Sequence, residues 1–276
     1  MAAADPPRHV RVERTGLDGV VAHVTLARPE VRNAFNADLI AELRSTFESL
    51  AEEPPERLRA IVLAGEGNVF SAGADAEWMR TSATLSREEN ERDAGTMADM
   101  FEAIDRSPVP VLARVQGAAL GGGMGLCAVS DIVFAETAAV FGFTETRLGI
   151  IPAVISPFVI RKIGESNARA LFPTGERFDA ERAQAIGLVH VVVPDEPGLD
   201  AAIAATVQDL LAAGPNAARA AKALARDVPR LDPAEARAAT VRRIAEQRTS
   251  EEGQDGLAAF LERRPPSWIP GDPRSE

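Results

Sequence analysis

The spacing of apolar and polar residues changes along the chain, and these changes predict separate strands and helices. Two partly alternating, β-branched runs flank Asp18-Gly19, a favoured turn pair, so residues 10–29 are predicted to form a β-hairpin. The next segment has apolar residues at helical spacing behind the potential cap Asn36, which predicts an amphipathic helix. Its apolar positions are Leu39, Ile40, Leu43, Phe47 and Leu50.

Further short apolar runs predict a sheet of buried strands joined by loops and helices. Residues 59–64, 111–120 and 131–136 are rich in β-branched and other apolar residues, as buried parallel strands are. Gly-rich stretches follow the first two runs. This repeated order of strand, loop and helix is typical of a mixed α/β domain, in which sites form at the carboxyl ends of strands.

The composition changes at Leu199, where alanine, arginine and glutamate become dominant. Glycine and proline separate three predicted helical segments, residues 199–213, 216–226 and 233–263. These segments hold few large apolar residues, so we expect them to pack on their own core or on another subunit. The sequence therefore predicts a core over residues 1–198 and a helical region over residues 199–276.

Composition limits which kinds of protein this chain can be and which partners it can bind. The 276 residues are 46% hydrophobic and 26% charged, which is enough apolar material for a sizeable core. A net charge of −11 opposes binding to nucleic acid phosphates. Neither a signal peptide nor an apolar run of membrane-spanning length is evident, so we expect a cytoplasmic protein with no membrane partner.

The sequence gives little support for disulfide or metal chemistry. Cys127 is the single cysteine, so an intramolecular disulfide cannot form. The three histidines lie far apart in the sequence and no metal-binding motif accompanies them, so no metal site is predicted. His190 lies in an apolar run without a nucleophile motif, and we interpret it as structural.

Two stretches of small residues are candidates for binding chemistry, SAGAD at 71–75 and AALGGGMG at 118–125. Each follows a predicted strand and precedes a predicted helix, so free backbone N–H groups of both could converge on one oxygen atom. The alternative is that both are merely tight turns. A dinucleotide site is disfavoured because the second stretch lacks the third glycine of the required spacing.

Three motifs in this order resemble the crotonase (enoyl-CoA hydratase/isomerase) superfamily: FSAGAD at 70–75, GAALGGGMGL at 117–126 and FGFTETRLGIIP at 141–152. The resemblance covers nearly the whole chain. It implies an α/β fold, a spiral of ββα turns with a C-terminal α-helical region. It also implies an acyl-CoA thioester substrate, with coenzyme A as part of the substrate and no separate cofactor, and a homotrimer or a hexamer built as a dimer of trimers.

The same resemblance assigns roles to residues of this chain. Ala74 and Gly122 would supply the two backbone N–H groups of an oxyanion hole for the thioester oxygen. Residues matching the coenzyme A path are Arg32, Ala34, Ala72, Asp75 and Ala76. Phe260 and Arg263 match positions that cover the adenine end of coenzyme A, although an ordinary helix face is an equal interpretation.

The residues at the positions of the general acid and general base differ from the family pattern. Family hydratases carry two glutamates, of which the second matches Glu145 and the first falls on Gly125. Glu145 is therefore the predicted general acid/base, and a desolvated pocket would raise its pKa. If Gly125 opens the pocket, it would contribute to substrate binding by admitting a branched or carboxylated acyl group. Hydration would then use Glu145 alone, or with help from the substrate or Glu77.

Two other functions stay open at this stage. A single carboxylate also suits a double-bond isomerase, which moves a proton without activating water. A non-catalytic acyl-CoA or RNA binding protein could share the fold. The segments GADAEWM at 73–79 and RLGIIPAVISPFVI at 147–160 look similar to bacterial methylglutaconyl-CoA and isohexenylglutaconyl-CoA hydratases, which act in leucine and terpenoid breakdown. This similarity favours hydration. The presence of both loops and of Glu145 favours an enzyme.

Overall fold

In a computed structural model, the described residues 8–269 form two β-sheets enclosed by helices. The strands are β1 (Val10–Thr15), β2 (Val21–Leu26), β3 (Ala60–Gly65), β4 (Val111–Val115), β5 (Ala118–Leu120), β6 (Ile132–Glu136), β7 (Val140–Gly142), β8 (Arg177–Asp179) and β9 (Val191–Val193). The helices are α1 (Ala37–Ala51), α2 (Ala76–Ser82), α3 (Arg87–Asp105), α4 (Gly122–Val129), α5 (Ser156–Thr174), α6 (Ala180–Ala185), α7 (Glu196–Ala212), α8 (Pro215–Asp227), α9 (Pro233–Thr249) and α10 (Glu251–Glu262). The outer ends of the two predicted regions, residues 1–7 and 270–276, lie outside the described residues.

The larger sheet has the strand order β1-β2-β3-β4-β6-β9, and the smaller has the order β5-β7-β8. All neighbours in the larger sheet are parallel except β1 and β2, which form the predicted antiparallel hairpin. The chain places one strand in each sheet and then a helix, first as β4, β5 and α4 and then as β6, β7 and α5. The predicted α/β class and ββα order are confirmed.

Local sequence signals account for helix α1. The Asn36 side chain accepts a hydrogen bond from the Leu39 N–H at 2.9 Å, so it caps the helix start as predicted. All five predicted apolar positions of this helix are buried in the core. The amphipathic pattern therefore fixes which face of α1 packs on the sheet.

Two predicted elements are wrong because each is divided in the structure. The expected single strand over 111–120 becomes β4 and β5, in different sheets. Gly117 lies between them with φ +63°, and a Cβ there would be 2.0 Å from Asn68 O, so the chain turns at a glycine. The helical segment 233–263 is divided at Ser250, whose Oγ accepts from the Gly253 N–H at 3.0 Å and caps α10.

The C-terminal helices contact the larger sheet on one face and at the amino ends of its strands. Leu199 and Ile203 of α7 pack with Val62, Leu112 and other residues on the face opposite the main core. Arg59, directly before β3, donates to the carbonyl oxygen of Leu210 at 3.2 Å, near the end of α7. The glycine-rich loops follow the carboxyl ends of β3 and β4. Helix α7 begins near these ends, where Asp200 bonds to Arg114 at 2.8 Å, and the end of α7 and α8 lie at the opposite, amino ends of the strands.

Candidate active site

The glycine-rich loops after β3 and β4 pair along their backbones. The Ser71 N–H donates to Ala118 O at 3.0 Å, and the Leu120 N–H donates to Ser71 O at 3.0 Å. This pairing brings the loops so close that a Cβ on Gly73 would lie 3.5 Å from the Gly121 Cα. Both glycines also have positive φ, +91° and +50°. Small residues at these positions let two backbone segments meet.

The N–H groups of Ala74 and Gly122 have no acceptor in the described part of the chain, although the backbone around Ala74 is well bonded. The Phe35 N–H donates to Gly73 O at 2.7 Å, and the Asp75 N–H donates to Phe35 O at 2.9 Å. Gly122 begins α4, where backbone N–H groups lack partners within the helix. Both residues are partly exposed, so these two amides can donate to an oxygen atom of a ligand.

Glu145 lies on a 3₁₀ turn, Thr144–Leu148, which follows β7. A Cβ built on Gly121 would be 3.5 Å from Glu145 Oε1, so the carboxyl group faces the loop that leads to Gly122. Its Oε2 is buried and has no hydrogen-bond partner among the described residues. Burial raises the pKa of Glu145, and a hydrogen bond from its own backbone N–H opposes this rise. A desolvated carboxyl group beside free amides is suited to proton transfer.

Gly125 does not open a pocket, and that expectation is wrong. A Cβ built on it would lie 2.4 Å from Ile155 Cγ2 and 2.7 Å from Phe101 Cε1. Gly125 is buried on α4, and these two side chains fill the space beside it. The glycine therefore allows α4 to pack closely against apolar side chains, and it leaves no room for an acyl group at this point.

Residues expected along the coenzyme A path lie around the loop after β3. The Ala72 N–H donates to Arg32 O at 2.9 Å, which places these two residues beside each other. Arg32 is exposed, whereas Ala34 is only 5% exposed. Ala76 is an exposed residue at the start of α2. The structure thus brings these four residues close to the candidate oxyanion loop.

The Asp75 carboxylate is already bonded within the protein. It accepts from Arg28 Nη2 at 2.8 Å and from the Glu77 N–H at 2.8 Å, where it caps α2. These hydrogen bonds and the Arg28 charge lower the pKa of Asp75, although burial, the largest single influence, acts in the opposite direction. The Glu77 side chain is 76% exposed and forms an ion pair with Arg80, so it lacks the desolvation expected of a second acid.

Asn33 is a buried polar residue that sequence reasoning missed. Its Nδ2 donates to Glu66 O at 2.9 Å and Val69 O at 2.7 Å, and its backbone O accepts from Ser71 Oγ at 3.0 Å. Its φ is +55°, a conformation that asparagine tolerates better than most residues. These bonds attach the segment before Phe35 to the loop after β3. The available sequence signal for this residue was an asparagine directly after Arg32, in a turn.

Phe260 and Arg263 lie apart from the loops within one chain. Phe260 belongs to α10, and Arg263 ends this helix with φ 55°. Helix α10 packs on α8 and α9. Both side chains are exposed, Phe260 by 81%. No hydrogen bond or ion pair in the described residues joins them to the glycine-rich loops.

The other side chains considered in the sequence analysis, His190 and Cys127, lie in surroundings typical of structural residues. His190 Nδ1 accepts from the Val133 N–H at 2.9 Å. Burial raises the pKa of the Cys127 thiol to about 12, so it stays protonated at neutral pH. Among residues 8–269, no three His, Cys, Asp or Glu side chains are grouped as metal ligands. No helix in this range has the length and apolar character needed to cross a bilayer.

Comparison with known proteins gives one consistent result. The family model described as enoyl-CoA hydratase/isomerase matches residues 17–270. A Thermus thermophilus protein assigned as an enoyl-CoA hydratase is 32% identical over 259 residues, which cover 94% of this chain and 100% of the relative.

Solved structures agree with this match. A crystal structure of an enoyl-CoA hydratase from Shewanella pealeana has a TM-score of 0.88 and 37% identity, covering 94% of this chain and 96% of the other. Pseudomonas aeruginosa AtuE has a TM-score of 0.90 and 34% identity, covering 95% and 99% respectively.

Proposed function

The chain belongs to the enoyl-CoA hydratase/isomerase family, and we propose that it adds water across the 2,3 double bond of an acyl-CoA thioester. The observation that carries the proposal is the position of the Glu145 carboxyl group, which faces Gly121. The N–H of the next residue, Gly122, has no acceptor among the described residues. Names of relatives that refer to hydratases support the same reaction.

The proposed mechanism uses one carboxylate and two amides. Ionised Glu145 accepts a proton from water as the water oxygen bonds to C3 of the enoyl group. Negative charge moves to the thioester oxygen, where the Ala74 and Gly122 N–H groups stabilise the enolate. The protonated Glu145 then gives its proton to C2, so that hydroxyl and hydrogen add to the same face. Removing one donor of an oxyanion hole in other enzymes costs about 3 to 4 kcal/mol.

The proposed substrate enters along the loop after β3. Arg32, Ala34, Ala72, Asp75 and Ala76 are proposed to line the coenzyme A path, with coenzyme A as part of the substrate rather than a separate cofactor. Asp75 would line this path by van der Waals contact, because its carboxylate is bonded to Arg28 and its N–H donates to Phe35 O. For the acyl group we propose a branched enoyl chain related to 3-methylglutaconyl-CoA. Since Gly125 offers no cavity, the branch would have to fit elsewhere in the site.

Double-bond isomerisation is the second candidate, and a specific observation favours it. No second ionisable side chain occupies the Gly125 position, where Ile155 and Phe101 form an apolar surface. An isomerase needs only one group that takes a proton from C2 and returns it to C4. Glu145 could perform both steps with the same oxyanion hole.

We propose that the chain assembles as a homotrimer or as a dimer of trimers through residues 199–276. Support comes from apolar side chains left exposed on α10, with Phe260 exposed by 81% and Leu261 by 78%. Ile151, six residues after Glu145, is exposed by 70%. A neighbouring subunit would cover these side chains, and its Phe260 and Arg263 would then reach the adenine end of coenzyme A.

Paired mass measurements would test the reaction. The purified protein is incubated with straight-chain 2-enoyl-CoA, 3-methylglutaconyl-CoA and 3-enoyl-CoA, and products are followed for water uptake and double-bond position. A gain of one water by a 2-enoyl substrate supports the hydratase. Migration of the double bond without a mass change supports the isomerase instead. Absence of both reactions with every thioester would contradict an enzyme of either kind.

A further inference from the structure

A second cleft lies at the opposite end of β4 and β6 from the candidate active site. It has a volume of about 780 Å³, within the range of small-molecule sites, and it lies between α8 and the segments that precede these strands. Pro110 directly precedes β4, and Asp131 directly precedes β6, so the cleft is at the amino ends. Neither Glu145 nor the glycine-rich loops line it.

The cleft is cationic although the chain is acidic. Two acidic side chains line it, whereas the basic side chains that line it are Arg161, Lys162, Lys222, Arg226 and Arg230. The acidic residues, Asp105 and Asp131, are each already bonded to one of these cations. This excess of positive charge in a protein of net charge −11 favours an anionic ligand.

Among the described residues, two cations of the cleft have no carboxylate partner, the largely buried Lys162 and the exposed Arg230. Lys162 Nζ donates to Cys127 O at 3.0 Å and to Ser130 O, both at the end of α4. No carboxylate oxygen of the described residues lies within 4.0 Å of it, whereas Lys222 has Asp131 at 2.6 Å. Burial lowers the pKa of Lys162 to about 8. A buried ammonium group is costly unless an anion compensates it.

Most of the remaining lining is apolar, and alanines form much of it. Helix α8 contributes three alanines on one face, and the end of α4 and the start of β6 lie across from them. These residues are Ala218, Ala221, Ala225, Ala128, Val129 and Ile132. Alanines leave space along α8, so an apolar body could lie between the helix and the sheet while its charged end meets the lysine.

From this arrangement we propose that the cleft binds a small amphipathic anion, a carboxylate or phosphate on a short apolar body, with Lys162 as the charged anchor. The third N–H of Lys162, not used by the two carbonyl oxygens, donates to the anion. Arg230 of the rim adds favourable charge, whereas Arg226 is already paired with Asp227 at 3.1 Å. This site does not depend on the reaction proposed for Glu145, because the two sites share no residue.

Calorimetric titration of the full chain tests the proposal, with octanoate and hexyl phosphate as probes and octanol as the neutral control. We expect saturable binding of at least one anion, one per chain, and none of octanol. Lys162→Met keeps the length of the side chain and removes its charge, so it weakens binding about tenfold or more, the loss expected for one charged hydrogen bond. Arg237→Met, at an exposed position on α9 outside the cleft, leaves the affinity unchanged within about twofold.

A second variant covers the case in which Lys162→Met fails to fold. Ala225→Glu places a carboxylate at an exposed position of the cleft without touching Lys162, and it also weakens anion binding. The preferred probe distinguishes a carboxylate from a phosphate ligand. Absence of saturable binding by both anions overturns the proposal, as does binding that Ala225→Glu leaves intact or that a coenzyme A thioester displaces. A change of assembly mass in Ala225→Glu without anion binding would assign the cleft to a second copy of the chain.

Discussion

Glu145 combines a buried oxygen with a raised pKa, and both properties affect pH dependence. Because the proposed base is the ionised form, kcat/KM should rise with pH through the pKa of Glu145, at higher pH than for an ordinary glutamate. Glu145→Gln should abolish this turnover while thioester binding persists, measured by steady-state kinetics and by titration. The control Glu165→Gln changes a 75% exposed carboxylate and should keep normal turnover. Near-normal activity of Glu145→Gln would contradict the assignment.

Glu145 also gives a prediction about stability: ionisation of its carboxyl group should favour activity but lower the stability of the fold. When folding raises the pKa of a carboxyl group, the folded protein loses stability as pH rises through the folded-state pKa of that group. Glutamine stays neutral, so Glu145→Gln should have a higher Tm than the wild type at neutral pH, and the difference should shrink at acid pH. Thermal unfolding at a series of pH values measures this. A lower Tm for the variant at neutral pH would mean that Glu145 has stabilising partners.

Gly125 should be intolerant of even one extra carbon atom. Gly125→Ala would place its Cβ 2.4 Å from Ile155 Cγ2, so overpacking should destabilise the fold by about 1 to 3 kcal/mol. Gly95 on α3 is a matched control, because a Cβ there meets nothing within 4 Å. Gly95→Ala should therefore stabilise by about 0.5 to 1 kcal/mol. Denaturant unfolding of both variants measures the contrast, and equal effects would contradict it.

At the scale of elements, the loop after β3 depends on a side-chain hydrogen bond to a neighbouring segment. Ser71 Oγ donates to Asn33 O at 3.0 Å, while the Ser71 backbone pairs with the loop after β4. Ser71→Ala should leave the buried Asn33 carbonyl without this donor and cost about 1 to 3 kcal/mol of stability. Because Ala74 follows in the same loop, kcat should fall more than KM changes. Ser45→Ala on α1 is an exposed control that should alter neither constant.

A helix or turn could be predicted from the sequence when the residues that determine it lie within the same segment. The α1 helix followed from the Asn36 cap and from apolar residues spaced along one face, and both signals lie within the segment itself. The turn at Gly117 could not be predicted, because it depends on the Asn68 backbone, which is distant in sequence.

The candidate site followed the same rule. The loops and Glu145 were identifiable from motifs, because the resemblance to a known family assigned those positions. The packing of Ile155 against Gly125 depended on how α5 meets α4, which no spacing in the sequence reports. The buried network of Asn33 was missed for the same reason, since the partners of its Nδ2 and of its backbone oxygen come from residues 66–71.

At the scale of the whole molecule, the exposed apolar side chains of α10 predict self-association. Phe260→Ser should reduce the assembly mass measured by light scattering, because burial of a phenylalanine contributes about 1.5 to 3 kcal/mol. Val12→Ser changes a side chain that is 44% exposed on β1, and it should leave the mass unchanged. A monomeric wild-type protein at the concentration of the assay would contradict the proposed trimer.

The candidate site draws Ala74, Gly122 and Glu145 from segments that follow three different strands, β3, β5 and β7. During translation, the loop after β3 leaves the ribosome without the loop that it pairs with. The two proposed oxyanion donors therefore cannot be held in place until Gly122 has emerged, and the Glu145 carboxylate comes later still. A chain that ends before Gly122 should therefore bind no enolate, and one that ends before Glu145 should lack the acid/base of the proposed reaction.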